Sequence, residues 1–227
     1  MIDLDRQGDV FVLHMRAGEN RMSPPFLRAF GAALDAAEKH DGPAALVTTG
    51  EGKFYSNGID LAWLGAAGRA EVGPFLGAVH GLFARLLAFP RPTVAALNGH
   101  AFAAGAMLAL AHDLRVMRPD RGFFCLPEVD LRLALQPGMT ALVKARLRKQ
   151  VAHEAIVTGR RYGGAEALSH GIADEVAAEA ELLPRAIARA AELAGKDPAT
   201  LAALKRGLHA DTLRVLEGPE GLVPGLR

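Results

Sequence analysis

Apolar residues along the chain follow two rhythms, and the alternation between them predicts its elements. Asp9–Met15 is rich in Val, Leu and Phe and is bounded by Gly8 and Ala17-Gly18, which reads as a strand. Ala44–Thr49 and Thr93–Leu97 are short apolar runs closed by Gly50 and by Asn98-Gly99, and both look like buried strands. Leu114–Arg118 and Gly122–Leu126 read as two more strands. Between these runs the spacing changes to that of helices. Ser23 followed by Pro24 is a helix start, a hydroxyl cap and then a residue that needs no amide donor. Phe26, Leu27, Phe30, Ala33, Leu34 and Ala37 then recur at helical intervals. Val72–Ala88 repeats the pattern, and Ala103–His112 is a helix of small residues.

After Pro137 the spacing predicts helices at Met139–Leu147, Val151–Thr158, Ala165–His170, Leu182–Ala194 and Thr200–Leu208, with an irregular tail after Asp211. Strands alternating with helices, followed by helices alone, make an α/β core with a helical C-terminal part.

Composition narrows the class. The 227 residues are 50% hydrophobic and 22% charged, which fits a packed globular chain and excludes a disordered one. Lys plus Arg total 26 against 25 acids, so no overall field gathers nucleic acid or an anionic membrane. A single cysteine, Cys125, cannot form an intrachain disulfide and reads as a core residue in a reducing compartment. The opening MIDLDRQGDV has acids and no apolar signal core, and the closing Pro-Gly-Leu-Arg matches neither a prenylation box nor a Ser-Lys-Leu address. A soluble, cytoplasmic protein is the expectation.

Several sharp motifs fail on inspection. Gly52-Lys53 is not a phosphate loop, because Val47 stands where the first Gly belongs and Phe54 where Ser or Thr would hold the metal. Ala167-Leu-Ser-His-Gly171 lacks the first Gly of a nucleophile elbow. The eight histidines show no metal-ligand spacing, and His100 and His112 read as satisfied structural residues. Lys144, Arg146, Arg148 and Lys149 read as a solvated helix face.

Three junctions carry more chemistry. After the strand ending near Thr49, Asn57-Gly58 permits a tight turn whose following amide is free to face a cavity. After Thr93–Leu97, the small residues of Asn98–Met107 open a helix whose unpaired first-turn N–H groups a ligand can approach closely. Two convergent amides are what an oxyanion hole requires. After the strand from Gly122, Pro127 stops pairing and leaves Glu128 at a strand end, where open α/β sheets place their ligands. A carboxylate there is either a solvated turn residue or a general base.

GKFYSNGIDLAWL at 52–64, NGHAFAAGAMLALAHD at 98–113 and LPEVDL at 126–131, in this order, resemble the crotonase superfamily, the enoyl-CoA hydratase/isomerase fold. Their wording is most similar to the Δ3-Δ2-enoyl-CoA isomerase branch. The resemblance implies a spiral of β-β-α units over residues 1–180, then a helical C-terminal region and irregular tail over 181–227. It implies a homotrimer or a dimer of trimers, an acyl-CoA substrate, a place in fatty-acid metabolism and no cofactor or metal.

Carried over residue by residue, the resemblance makes the amides of Ile59 and Ala104 the oxyanion donors and Glu128 the acid/base. Asn20, Arg21, Ser56, Asn57, Gly58 and Asp60 would lie along the substrate's CoA moiety, and the helix Leu182–Leu208 would cover the pocket or pack on a neighbouring subunit. Hydratases of this family use two glutamates, and the first falls at Met107 here. A thioether holds no proton for a water, whereas moving a double bond needs one base only. The resemblance therefore implies conversion of 3-enoyl-CoA to trans-2-enoyl-CoA. The alternatives are another crotonase reaction, such as hydration or thioester hydrolysis, and a non-catalytic acyl-CoA-binding relative. Arg132 stands where many relatives have Gly, and its side chain is expected either to strain the loop or to reach the pocket.

Overall fold

The structure is a computed structural model that describes residues 1–222; the closing Pro-Gly-Leu-Arg lies outside them. Two sheets are built by one repeated step. β2 (Val10–Met15), β3 (Ala45–Gly50), β5 (Thr93–Leu97), β7 (Leu114–Met117) and β9 (Glu175–Val176) run parallel in the large sheet, and β1 (Ile2–Gln7) adds an antiparallel edge beside β2. After β3, β5 and β7 the chain turns into β4 (Phe54–Ser56), β6 (His100–Phe102) and β8 (Phe124–Cys125), which pair in parallel as a small three-stranded sheet. Each small strand then feeds helical chain. α2 (Leu61–Ala66) and α3 (Arg69–Leu87) follow β4, α4 (Ala104–Leu110) follows β6, and α5 (Glu128–Leu131) follows β8. This is the β-β-α spiral.

The apolar runs of the large sheet are explained by cover on both faces. Val10, Val12, Val47, Val94, Ala96 and Val116 pack with Leu182, Ala186 and Ala190, on one face. Leu13, Met15, Leu46, Ala95, Leu97 and Met117 point the other way, into the main core with α1 (Pro24–Glu38), α3 and α4. The helix bearing Leu182, α9 (Glu179–Ala191), thus covers the sheet and contributes nothing to the pocket described below. Of the two expectations for Leu182–Leu208, cover over the pocket or packing on a neighbouring subunit, α9 departs from the first. The apolar stripe of α9 is matched to the valines of the sheet.

Four other readings change. Ile2 and Leu4 alternate with Asp3 and Asp5, giving the edge strand β1 where only an acidic N-terminus was read. The region after Asp211 is not irregular throughout: α11 (Ala210–Glu217) buries Thr212, Leu213 and Leu216 against α3 and α6 (Pro137–Arg146). Arg146 does not belong to a solvated face. Its guanidinium donates to the carbonyls of Leu110 (2.8 Å), His112 (2.7 Å) and Asp113 (3.0 Å), satisfying the end of α4. His112 is satisfied by Thr48 Oγ1 and the Leu108 carbonyl, but His100 keeps a buried Nδ1 with no partner inside a stack with Phe54, Phe102 and Phe123. Cys125 is buried in the core as expected, its thiol donating to the Gly159 carbonyl at 3.2 Å.

Candidate active site

The three junctions meet at the ends of the small strands. β4 finishes at Ser56, and the next turn is locked from behind. The Ser56 hydroxyl donates to the Asn20 carbonyl at 2.8 Å and accepts the Gly58 N–H at 3.3 Å. Asn20 is fully buried with φ +51°. Its side chain accepts the Ala17 N–H at 2.8 Å and donates to the Tyr55 carbonyl at 3.0 Å. A single parallel bridge then joins this turn to the end of the first hairpin. Met22 N–H donates to the Gly58 carbonyl at 2.7 Å, and Asp60 N–H to the Met22 carbonyl at 2.9 Å. In a parallel pair the residue between those two groups directs its own N–H to the opposite side. That residue is Ile59, whose N–H has no protein partner. Asp60 closes the turn by capping α2, accepting from Ala62 and Trp63 N–H, both at 3.1 Å.

The second junction presents its amide by strain. Ala103 takes φ +52° and ψ −126°, a region that side chains other than glycine's rarely enter and that costs on the order of 1–3 kcal/mol. This twist ends β6, where Ala103 N–H bonds the Cys125 carbonyl at 3.0 Å, and starts α4 at once. Ala106 and Met107 N–H return to the Ala103 carbonyl, and Ala104 N–H is left without a partner. Two glycines let the junctions touch backbone to backbone. A Cβ on Gly105 would stand 2.2 Å from the Ser56 carbonyl oxygen, and one on Gly58 would stand 3.1 Å from Ala104 N.

Glu128 begins α5, directly after Pro127. Its Oε2 is buried and has no hydrogen-bond partner, and burial pushes the carboxyl from the usual 4.5 up to about 7, against a smaller lowering by a backbone N–H. α5 ends on Arg132 in the left-handed conformation (φ 56°, ψ 35°), and the Leu133 N–H comes back to the Glu128 carbonyl at 3.0 Å. Arg132 therefore carries the strain of a glycine position, but its side chain is exposed and lines no part of the pocket.

Ile59, Ala103, Ala104, Glu128 and Asn57 share one cavity of about 140 Å³, whose remaining walls are Leu61, Leu64, Leu76, Leu131, Leu133, Ala134, Leu135, Gln136 and Met139. Glu128 is the one carboxylate among these lining residues. Met107 is fully buried in the core behind α4 and does not reach the cavity.

The structure divides the remaining predicted residues into two groups. Arg21 and Asp60 border a more open cleft of about 620 Å³ on the other side of the 57–60 turn, together with Glu19 and Ser23. Asn20, Ser56 and Gly58, expected along a ligand, are buried and shape the turn from within. Glu19 escaped sequence reasoning, although it organises the turn. It binds Arg21 at 2.6 Å and the Asn57 side chain at 2.8 Å, and these bonds hold its own carboxyl below the usual range. The apolar wall also escaped it. The alternation Leu131, Leu133, Leu135 was a visible signal, but its destination depends on contacts distant in sequence. Among the described residues no three His, Cys, Asp or Glu gather as metal ligands, and no helix is long and apolar enough to cross a membrane.

A family model described as enoyl-CoA hydratase/isomerase matches residues 5–220. Enoyl-CoA delta isomerase 2, peroxisomal, of Arabidopsis thaliana is 38% identical over 189 residues, covering 80% of this chain and 79% of that protein. Carnitinyl-CoA dehydratase of Escherichia coli is 37% identical, covering 71% of this chain and 61% of that protein. The apo structure of an enoyl-CoA isomerase from Mycobacterium tuberculosis superposes with a TM-score of 0.87 at 31% identity, covering 95% of this chain and 93% of the other. The spiral of β-β-α units, the converging junctions and these matches lead to one conclusion: the chain is an enzyme of the enoyl-CoA hydratase/isomerase, or crotonase, family.

Proposed function

We propose that the enzyme moves the double bond of a 3-enoyl-CoA thioester to the trans-2 position, with Glu128 as its single acid/base. The observation that carries this reading is the lone carboxylate in a largely apolar cavity that is also lined by Ile59 and Ala104, whose amides have no partner. The thioester oxygen accepts from both N–H groups. Ionised Glu128 takes a proton from C2, and the C2–H electron pair spreads through the carbonyl and the C3–C4 double bond as a dienolate, its charge largely on the oxygen. The protonated Glu128 then returns that proton at C4, leaving the double bond between C2 and C3. Atoms and charge balance within the thioester and one side chain, so the step calls on no cofactor. Each amide supplies about 3–4 kcal/mol of stabilisation to the enolate, as donors in other oxyanion holes do.

Burial of Glu128 serves both halves of this cycle. A carboxyl near pH 7 is ionised enough to accept the C2 proton and acidic enough to give it back. Hydration would need a second group to hold and activate water, and Met107 at the position of a hydratase glutamate is buried away from the cavity. On this reading the 57–59 turn, Arg21 and Asp60 border the CoA moiety. A homotrimer or pair of trimers is the expected assembly and the cytoplasm the expected location. The test is product analysis. The purified enzyme should convert a 3-enoyl-CoA to the trans-2 isomer and add no water to trans-2-enoyl-CoA; hydration at a comparable rate would make it a hydratase instead.

A further inference from the structure

The cavity, half open to its surroundings, is small for an acyl thioester. At about 140 Å³ it has less than half the ~300–1,000 Å³ of pockets that enclose a whole ligand. It therefore holds the reacting end and little more. What lies beyond that end is apolar in a graded way. Leu64, Leu76 and Leu135 are partly buried and packed on the core, and next to them in the cavity wall stand Leu61, Leu131 and Leu133, exposed by 45%, 48% and 37%. Three exposed leucines line this one cavity, Leu61 at the start of α2, Leu131 at the end of α5 and Leu133 just after it, an apolar rim of the kind that marks a binding surface. No charged side chain lines this part of the wall.

We infer that the preferred substrates carry an acyl tail of about eight carbons or more, which leaves the cavity across the rim of Leu61, Leu131 and Leu133; this rests on the acyl-CoA reading of the site. A four-carbon acyl group ends inside the cavity and leaves the rim wet. A longer tail covers the rim and removes its own methylenes from water. Each methylene fully buried is worth about fourfold in affinity, and one lying on a half-open rim about twofold. α2 is six residues long, none of them fully buried, and rests on the core through Trp63, whose ring lies 4.5 Å from that of Phe75. Leu61, Leu131 and Leu133 thus act as specificity-determining residues.

Isothermal titration calorimetry with saturated acyl-CoA thioesters reads binding without turnover. Dissociation constants should be measured for hexanoyl-, decanoyl- and tetradecanoyl-CoA on the full chain. The expected result is tightening of about two- to fourfold per methylene from hexanoyl to decanoyl, flattening by tetradecanoyl as the tail passes the rim. Leu133→Asp, on the exposed loop, should shrink the decanoyl-to-hexanoyl ratio at least about tenfold, and Leu131→Ser by a smaller factor. Equal dissociation constants for all three thioesters, or a ratio unchanged in both variants, would overturn the inference. The reaction is judged separately. A retained chain-length gradient with no isomerisation of any 3-enoyl-CoA defeats the isomerase reading and leaves the rim standing. Isomerisation with no gradient does the reverse.

Discussion

At the N-terminal ends of β5 and β7 in the large sheet, Asp113 accepts the Thr93 N–H and hydroxyl at 2.8 and 3.1 Å, and Lys205 from α10 (Pro198–Leu208) reaches it at 2.6 Å. Beside it Arg115 pairs with Asp174 at 3.1 Å, and Arg146 caps three carbonyls. Where β4, β6 and β8 end, the groups are just as buried but are left unmatched: one carboxylate oxygen, two amide hydrogens, and two residues held at positive φ. The first region follows the ordinary rule that buried polar groups find partners. The second breaks it three times within one cavity. Unsatisfied groups cost stability, so three of them around one cavity mark where a substrate completes the bonding, while the other unpartnered buried side-chain atoms, on His80, Arg91 and His100, lie outside that cavity.

Substitutions should therefore act in opposite directions in the two regions. Glu128→Gln keeps the shape of the site and removes its base, and should lower kcat on a 3-enoyl-CoA by about 10²–10⁴-fold. The same change should stabilise the fold. A carboxyl raised to about 7 favours the folded state only while protonated, and that advantage is lost as pH rises from about 4.5 through 7. At pH 8 the variant should gain on the order of 1–3 kcal/mol in denaturant unfolding, with the gain shrinking toward pH 5. A loss of stability at pH 8 would mean that Glu128 has a partner in the native state.

Lys205→Met should do the opposite, destabilising the enzyme by about 2 kcal/mol; one-sided removal from a buried pair costs about 3–5 kcal/mol, but Asp113 is 30% exposed and water replaces part of the interaction. Its turnover per folded molecule should stay near wild type. The smallest effect is expected at Arg132→Gly, which removes the left-handed strain at the end of α5 and should stabilise by about 1 kcal/mol or slightly less, since glycine also gains freedom in the unfolded chain.

The same contrast explains what was legible from sequence. The large sheet announces itself because β2, β3 and β5 are five or six residues each and mostly apolar, enough for burial to leave a pattern. β4 and β6 are three residues long and leave none, and β8 is only the two residues Phe124–Cys125 of the longer strand read at Gly122–Leu126. Their ends were found through the chemistry of the junctions: Asn57-Gly58, the small residues from Ala103, and Pro127-Glu128. The inward turn of Arg146, the buried Asn20 and Ser56, and the leucine wall were out of reach for a different reason. Arg146, Asn20 and Ser56 are decided by partners 33 to 36 residues away, and local composition is the same whether a side chain turns in or out. α11 was missed because Gly218, Pro219 and Gly221 mask the Leu213–Leu216 spacing just before them.

The pH dependence of kcat/KM on a 3-enoyl-CoA tests the central claim most directly. If a single buried carboxylate starts the reaction, activity should fall tenfold per pH unit below a midpoint near 7 and level off above it. A profile that stays flat from pH 8 down to pH 5 would contradict the account, because no ionisation of Glu128 would then stand between enzyme and product.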